Sequence, residues 1–330
     1  MLGSSFMGQL LSLFATRDWP DGSIKARVFA WDGDISGYGA SVPLRIAGAL
    51  HALVLQGHAG LQATYPPHAV DDDTLWNAVT AALITDAPFI DAWIDSPPQT
   101  NEVRRAAALI PVGHWLAARY GLPIDVIELG ASAGLNLMWD KFALRIDDAT
   151  FGPDDPALTL QPDWRGALPP VTRPMVSSRK GVDLNPLDPH RDALRLRAYL
   201  WPDQVQRRVL TDAAIACHDA PVAQSDAIAW LADNLTPTQG HVRMIYHTIA
   251  WQYFPPDVQK AGVALLETAG QAATPTTPLA WFAMEADDKP DGAKLTLRLW
   301  PGDVTIDMGR ADFHGRWIAW HAPQPDEGMI

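Results

Sequence analysis

What the chain lacks is the first guide to it. Among 330 residues there is one cysteine, Cys217, which excludes an intrachain disulfide and any multi-cysteine metal site and leaves nothing to argue for an oxidising compartment. There is no Lys/Arg-rich run, the nearest being the pairs Arg104-Arg105 and Arg207-Arg208, and the formal net charge is −13. Such a surface repels phosphate backbones and anionic membranes, so nucleic acid is not an expected partner. No stretch reaches the roughly 18 uncharged apolar residues needed to span a bilayer. The start, Met1-Leu2-Gly3-Ser4-Ser5-Phe6, lacks the basic opening of a secretory signal. The expectation is a soluble, cytoplasmic protein without a membrane partner. No His, Asp and Glu spacing resembles a metal site, and His51, His58 and His114 stand in expected helices without a partner at helical spacing.

What is present is an ordinary globular composition, 48% hydrophobic and 19% charged, enough for a substantial core. The 28 prolines imply many short elements joined by stiff loops. Residues 1 to about 120 read as an N-terminal helical cap region, with helical apolar spacing over 44–55 and 74–83 and a helix from about Val103 to Tyr120 ending at Gly121. The pattern then changes. Ile124-Asp125-Val126-Ile127-Glu128-Leu129, bounded by Pro123 and Gly130, has the form of a buried parallel strand, and strand and helix alternate from there on. Strands are expected near 179–184, 221–224, 241–247 and 279–285. Helices are expected over 135–142, 193–216, 227–234 and 256–269. Residues 144–176, rich in Pro, Asp and Gly, read as an insertion. Lys294–Trp300 and Gly315–Trp320, with no helix between them, read as a terminal antiparallel pair. The expected fold class is α/β, with a mostly parallel Rossmann-like sheet spanning 121–330.

The strand at 124–129 feeds a turn, Gly130-Ala131-Ser132-Ala133-Gly134, and then a helix, an arrangement that aims backbone N–H groups and a helix dipole at a ligand above the sheet. A nicotinamide fingerprint wants glycine at the first, third and sixth positions, here Gly130, Ser132 and Leu135, and the P-loop lysine is missing. The same run fits the Gly-x-Ser-x-Gly nucleophile elbow, for which later acids and His314 would complete a hydrolase triad, although no oxyanion-hole motif precedes it. A third reading takes Glu128, Gly130 and Gly134 as acid-x-Gly-x-x-x-Gly. That resembles the loop after the first strand of S-adenosylmethionine-dependent methyltransferases, with serine at the usual middle glycine.

The methyltransferase resemblance implies that Ala131, Ser132, Ala133 and Asn136 accompany those residues around S-adenosylmethionine. It also implies that Asp183, beside Leu184, holds the ribose hydroxyls and that Asp226, beside Ala227, meets the adenine. An ordinary βαβ unit puts the ribose acid about 20 residues beyond the loop, so the insertion has to absorb the excess before Asp183. Several phrases, Pro98-Gln99-Thr100-Asn101-Glu102-Val103, Glu128 to Leu137, Gly181 to Asp188, Trp201-Pro202-Asp203-Gln204 and His314-Gly315-Arg316-Trp317, also resemble an uncharacterised bacterial family, domain of unknown function 2332.

Ligands of open α/β sheets bind beyond the carboxyl ends of the strands. His247 and Glu285 hold such positions, and His247 is a candidate base for a substrate proton and a neighbour of the cofactor. Tyr253 is a further catalytic candidate. Trp251 and Trp281 are candidates to line the mouth, the alternative being core filling. Gln99, Thr100, Asn101 and Glu102 resemble an N-terminal lid over cofactor and small-molecule substrate, or else form a helix cap. A methyltransferase, a serine hydrolase and a binding protein without turnover all remain open, and the oligomeric state is not legible.

Overall fold

A computed structural model describes residues 3–325. The chain forms two compact units, one of Met1–Thr100 with His190–Val209, the other of Asn101–Pro189 with Leu210–Ile330. The division expected near residue 120 therefore falls after Thr100. The reason is the helix Ala106–Tyr120, whose first eleven residues are all buried. A helix apolar on every side belongs inside a core, and Gly113 lets it approach so closely that an added Cβ would lie 2.2 Å from the Trp139 ring.

In the first unit every regular element among the described residues is helical, including Ser5–Thr16, Ser23–Phe29, Val42–Leu55, Asp72–Thr85 and Ala87–Ile94. Side-chain caps start two of them: Ser4 accepts from Met7 N at 3.0 Å and Asp71 from Thr74 N at 2.7 Å. Their apolar faces meet around Leu10, Ile46, Leu50, Leu75 and Ile90. The single helix expected over 193–216 is two, Ala193–Ala198 and Val205–Cys217. Pro202 lies in the break, where it denies the backbone an N–H and disfavours helical geometry at Trp201.

Among the described residues the second unit holds twelve strands, with the following bounds: β1 Ile124–Leu129, β2 Phe142–Ile146, β3 Ala149–Phe151, β4 Leu158–Leu160, β5 Asp163–Gly166 and β6 Val176–Asp183. The others are β7 Val222–Gln224, β8 Val242–Thr248, β9 Leu279–Ala286, β10 Ala293–Trp300, β11 Val304–Ala311 and β12 Trp317–Trp320. The large, mostly parallel sheet has the order β5-β12-β11-β10-β9-β8-β1-β6-β7. Its five parallel strands thus run third, second, first, fourth, fifth, and the order reverses between β1 and β8. In such sheets the ligand crevice lies outside the carboxyl ends at that reversal.

The expected insertion mostly forms a sheet of its own, β3-β2-β4, while β5 pairs in parallel with β12 at the far edge of the large sheet. Neither separates β1 from β6, which pair directly, Leu129 against Val182. Asp183 therefore stands at the carboxyl end of the strand beside β1. The terminal region departs from expectation. β11 lies between β10 and β12 and pairs antiparallel with each, so the two predicted strands are not partners.

Candidate functional site

The strand β1 is buried at all six positions and delivers the chain to a turn that is tied down bond by bond. Gly130 and Ala131 N–H both donate to Val182 O (2.9 and 3.0 Å), Gly134 N–H to Ala131 O (2.7 Å), and Ser132 N–H to Asp183 Oδ2 (2.8 Å). The next N–H, of Leu135, donates to Asn101 Oδ1 at 2.7 Å. A turn that cradles phosphate must leave several N–H groups pointing outward. Here most are spent within the protein. Gly130, Ser132 and Gly134 have φ of +69°, +55° and +71°, the left-handed region that suits glycine and strains serine. An added Cβ at Gly130 would stand 2.6 Å from the Ala250 Cβ.

Beyond this turn is a cleft of about 130 Å³ lined by Gly130, Asp183, Leu184, Asp226, Ala227 and Tyr253, with Phe254, Pro255 and Val258. Six of the sequence-predicted site residues meet there, drawn from the ends of β1, β6, β7 and β8. Asp183 accepts from Asn185 N with Oδ1 (2.9 Å) and from Ser132 N with Oδ2. Asp226 caps the helix Ala227–Asn234, its Oδ1 accepting from Ile228 N (3.0 Å) and Ala229 N (2.9 Å). A carboxylate has about four acceptor sites, so both retain capacity toward a ligand. Among the described residues no cationic side chain lines the cleft. It suits a ligand rich in donors and opposes a phosphate.

Glu128, Ala131, Ser132, Ala133, Gly134 and Asn136 do not line the cleft; they form or support the turn. Glu128 is 1% exposed. Tyr246 Oη stands 3.4 Å from its Oε2 and 3.2 Å from Asn136 O. Burial pushes the Glu128 carboxyl well above its ordinary range, against the opposing pull of Tyr246 and the Arg105 cation. Asn101 and Glu102, expected in a lid, are buried: Asn101 caps Leu135 as described, and Glu102 O accepts from Asn136 Nδ2 at 3.2 Å. They brace the turn from within, because their side chains and carbonyls meet N–H groups that would otherwise be buried unpaired. Gln99 and Thr100 belong to the first unit.

At the end of β8, His247 is 1% exposed. Its Nδ1 lies 2.7 Å from Glu285 Oε1, and its Nε2 accepts from Trp281 Nε1 at 3.0 Å. Trp251 stacks on the ring at 4.8 Å. Both nitrogens are engaged, which leaves no lone pair for a substrate proton and corrects the expectation of a free base. Glu285 Oε1 also accepts from Ala250 N (3.0 Å) and Trp251 N (3.1 Å). Burial works to raise the Glu285 carboxyl, but His247 and these two N–H groups outweigh it and hold it below its ordinary value. The turn they fix is strained: Ile249, β-branched, has φ of +52°. Tyr253, by contrast, is 74% exposed.

Arg105 escaped the sequence reading, although the Arg104-Arg105 pair is plain in the chain. It ties the turn region together, donating to Thr248 O and Phe313 O at 3.0 Å each. Phe254 and Pro255, in the loop after β8, and Val258, in the first turn of the helix Pro256–Gln271, were also missed, since neither position carries a pattern that announces a pocket wall. His314 sits in a turn held by Asp312, whose Oδ1 accepts from His314 N at 3.0 Å. Among the described residues no helix is long and apolar enough to cross a membrane.

Residues 1–320 match the family described as uncharacterised proteins conserved in bacteria, DUF2332. No curated protein matches the chain.

Proposed function

Because the chain belongs to this uncharacterised bacterial family, its chemistry must be read from the site, and we propose an S-adenosylmethionine-dependent methyltransferase of Rossmann-like fold acting on a small molecule. One observation carries the reading. Gly130, Asp183 and Asp226, at or just beyond the carboxyl ends of three neighbouring strands, converge on one cleft whose described lining contains carboxylates and no cation. That donor set fits an adenosyl group, which offers a ribose diol and an exocyclic amine, and disfavours the pyrophosphate of a dinucleotide.

Asp183 would accept from the ribose hydroxyls and Asp226 from the adenine amine, with Leu184, Ala227 and Val258 as apolar walls and Gly130 permitting close approach. When bound, the cofactor supplies an electrophilic methyl group. His247 and Glu285 serve this site as positioning residues, fixing the turn whose Ala250 packs on Gly130. Tyr253 is the side chain at the mouth with a hydroxyl exposed to meet a substrate.

Calorimetric titration with S-adenosylhomocysteine tests the proposal. Saturable binding is expected, weakened by about 1.5 to 3 kcal/mol in Asp183→Ala, the scale for hydrogen bonds to a charged group. Since Asp183 also anchors Ser132, the melting temperature is measured alongside to separate lost contact from lost loop. Absence of binding at millimolar ligand removes the assignment.

The strained Ser132 favours a second reading, a nucleophile elbow. Against it, the serine is 7% exposed and does not line the cleft. Covalent labelling of Ser132 by a fluorophosphonate would reverse the order of the two. S-adenosylhomocysteine binding that survives Ser132→Ala supports the first.

A further inference from the structure

Within the first unit, residues between 11 and 46 line a cavity of about 760 Å³ that opens to solvent. Its walls are the helices Ser5–Thr16 and Ser23–Phe29, the start of Val42–Leu55 and the loop between the last two. Phe14, Trp19, Phe29, Trp31, Ile35 and Ile46 are among the residues that line it, and among the described residues no ionisable side chain does. The nearby cations are engaged elsewhere. Arg27 pairs with Asp91 at 2.8 Å, and Arg45 donates to Ala40 O, Ile94 O and Asp95 O at 2.7 to 3.0 Å, both guanidiniums lying on the Trp31 ring at 5.5 and 5.1 Å. The Trp19 N–H is spent on Phe14 O. The Ser41 hydroxyl at the wall faces Gly37 O at 3.5 Å.

We propose that this cavity is a binding site for an uncharged, apolar small molecule with an aromatic or acyl body. Three features argue for that occupant. The volume lies in the range of about 300 to 1,000 Å³ that small-ligand pockets occupy, with the predominantly aromatic and aliphatic lining they share. Phe29 and Ile35, which line it, are 69% and 43% exposed, so apolar surface now meets water that a ligand would displace. An ion entering would lose its hydration and find no counter-charge. This inference stands apart from the methyltransferase reading, since it uses none of that site's residues.

Nile red, an uncharged aromatic dye whose emission rises in apolar surroundings, is the probe. With the full chain we expect one saturable site per chain, displaced by decanol at least tenfold more effectively than by decanoate at neutral pH. Ala15→Trp, from an exposed helical position on the wall, should fill the cavity and weaken dye binding at least tenfold. Gly37→Trp repeats the test from the loop, where an added Cβ meets nothing within 4 Å, so a folding failure of one variant leaves the other. Circular dichroism confirms folding. Absence of saturable binding, equal displacement by decanol and decanoate, or unchanged affinity in a folded filling variant overturns the proposal. So does light scattering that shows a dimer whose dissociation is required for dye to bind, because a second copy of the chain would then be the occupant.

Discussion

Glu128 shows how much of a residue's role depends on direction. Its place at the end of β1 is plain in the sequence, but β1 is buried on both faces, so alternation cannot reveal which side a side chain takes. The structure turns it inward, toward Tyr246, away from the cleft. Burial raises its pKa above the ordinary 4.5, so between 4.5 and the folded value the native state holds a proton that the unfolded chain releases. Stability from this group is then greatest below pH 4.5 and declines as pH rises through the folded pKa. Glu128→Gln, which keeps the shape and removes the ionisation, should raise the melting temperature at pH 8, with a gain that shrinks as pH falls toward 4.5. A variant destabilised equally at every pH would show that the carboxylate itself is needed.

At the scale of elements, the contact between two turns governs the site. Gly130 and Ala250 meet so closely that a methyl group between them needs one turn to move. Gly130→Ala should therefore cost about 1 to 2 kcal/mol for the left-handed backbone and a further ~1 to 3 kcal/mol for overpacking, and should weaken S-adenosylhomocysteine binding. Gly121→Ala is the comparison: φ is +62° but nothing lies within 4 Å of the added Cβ, so only the backbone cost applies. Equal losses in urea denaturation would refute the turn contact. The strands flanking these turns were legible because β1, β8 and β9 are largely apolar runs, each starting within two residues of a Pro or Gly: Pro123, Gly240 and Pro278. β11 was not, although Val304 to Met308 alternates apolar and polar: the alternation breaks at a bulge at Met308, before Gly309 with φ of +118°, and its pairing with β10 and β12 is a tertiary fact. The segment 190–209 was likewise assigned by local pattern, while its place in the first unit rests on contacts remote in sequence. Trp93 Nε1 donates to the Tyr199 hydroxyl at 3.2 Å, and Gly48 leaves room for that ring.

Across the whole molecule, each unit buries one histidine that the sequence marked as structural. Burial pushes His51 in the first unit down to about 4, while its Nδ1 bonds Ala198 O at 3.0 Å, and burial pushes His114 in the second unit to about 4 as well. Both values lie below the ordinary 6.5, so below that pH the unfolded chain takes up protons that the native state refuses. The stability they contribute is complete above 6.5 and lost as pH falls toward 4. For His51 the full shift corresponds to about 3 kcal/mol. Glu128 acts in the opposite sense above 4.5, so the wild-type profile is their sum and only variants resolve it. His51→Asn retains a donor for Ala198 O and removes the titration. Its melting temperature should fall less steeply than the wild type between pH 7 and 4.5, whereas Glu128→Gln should fall more steeply. Parallel profiles in all three proteins would mean that other groups set the acid limit.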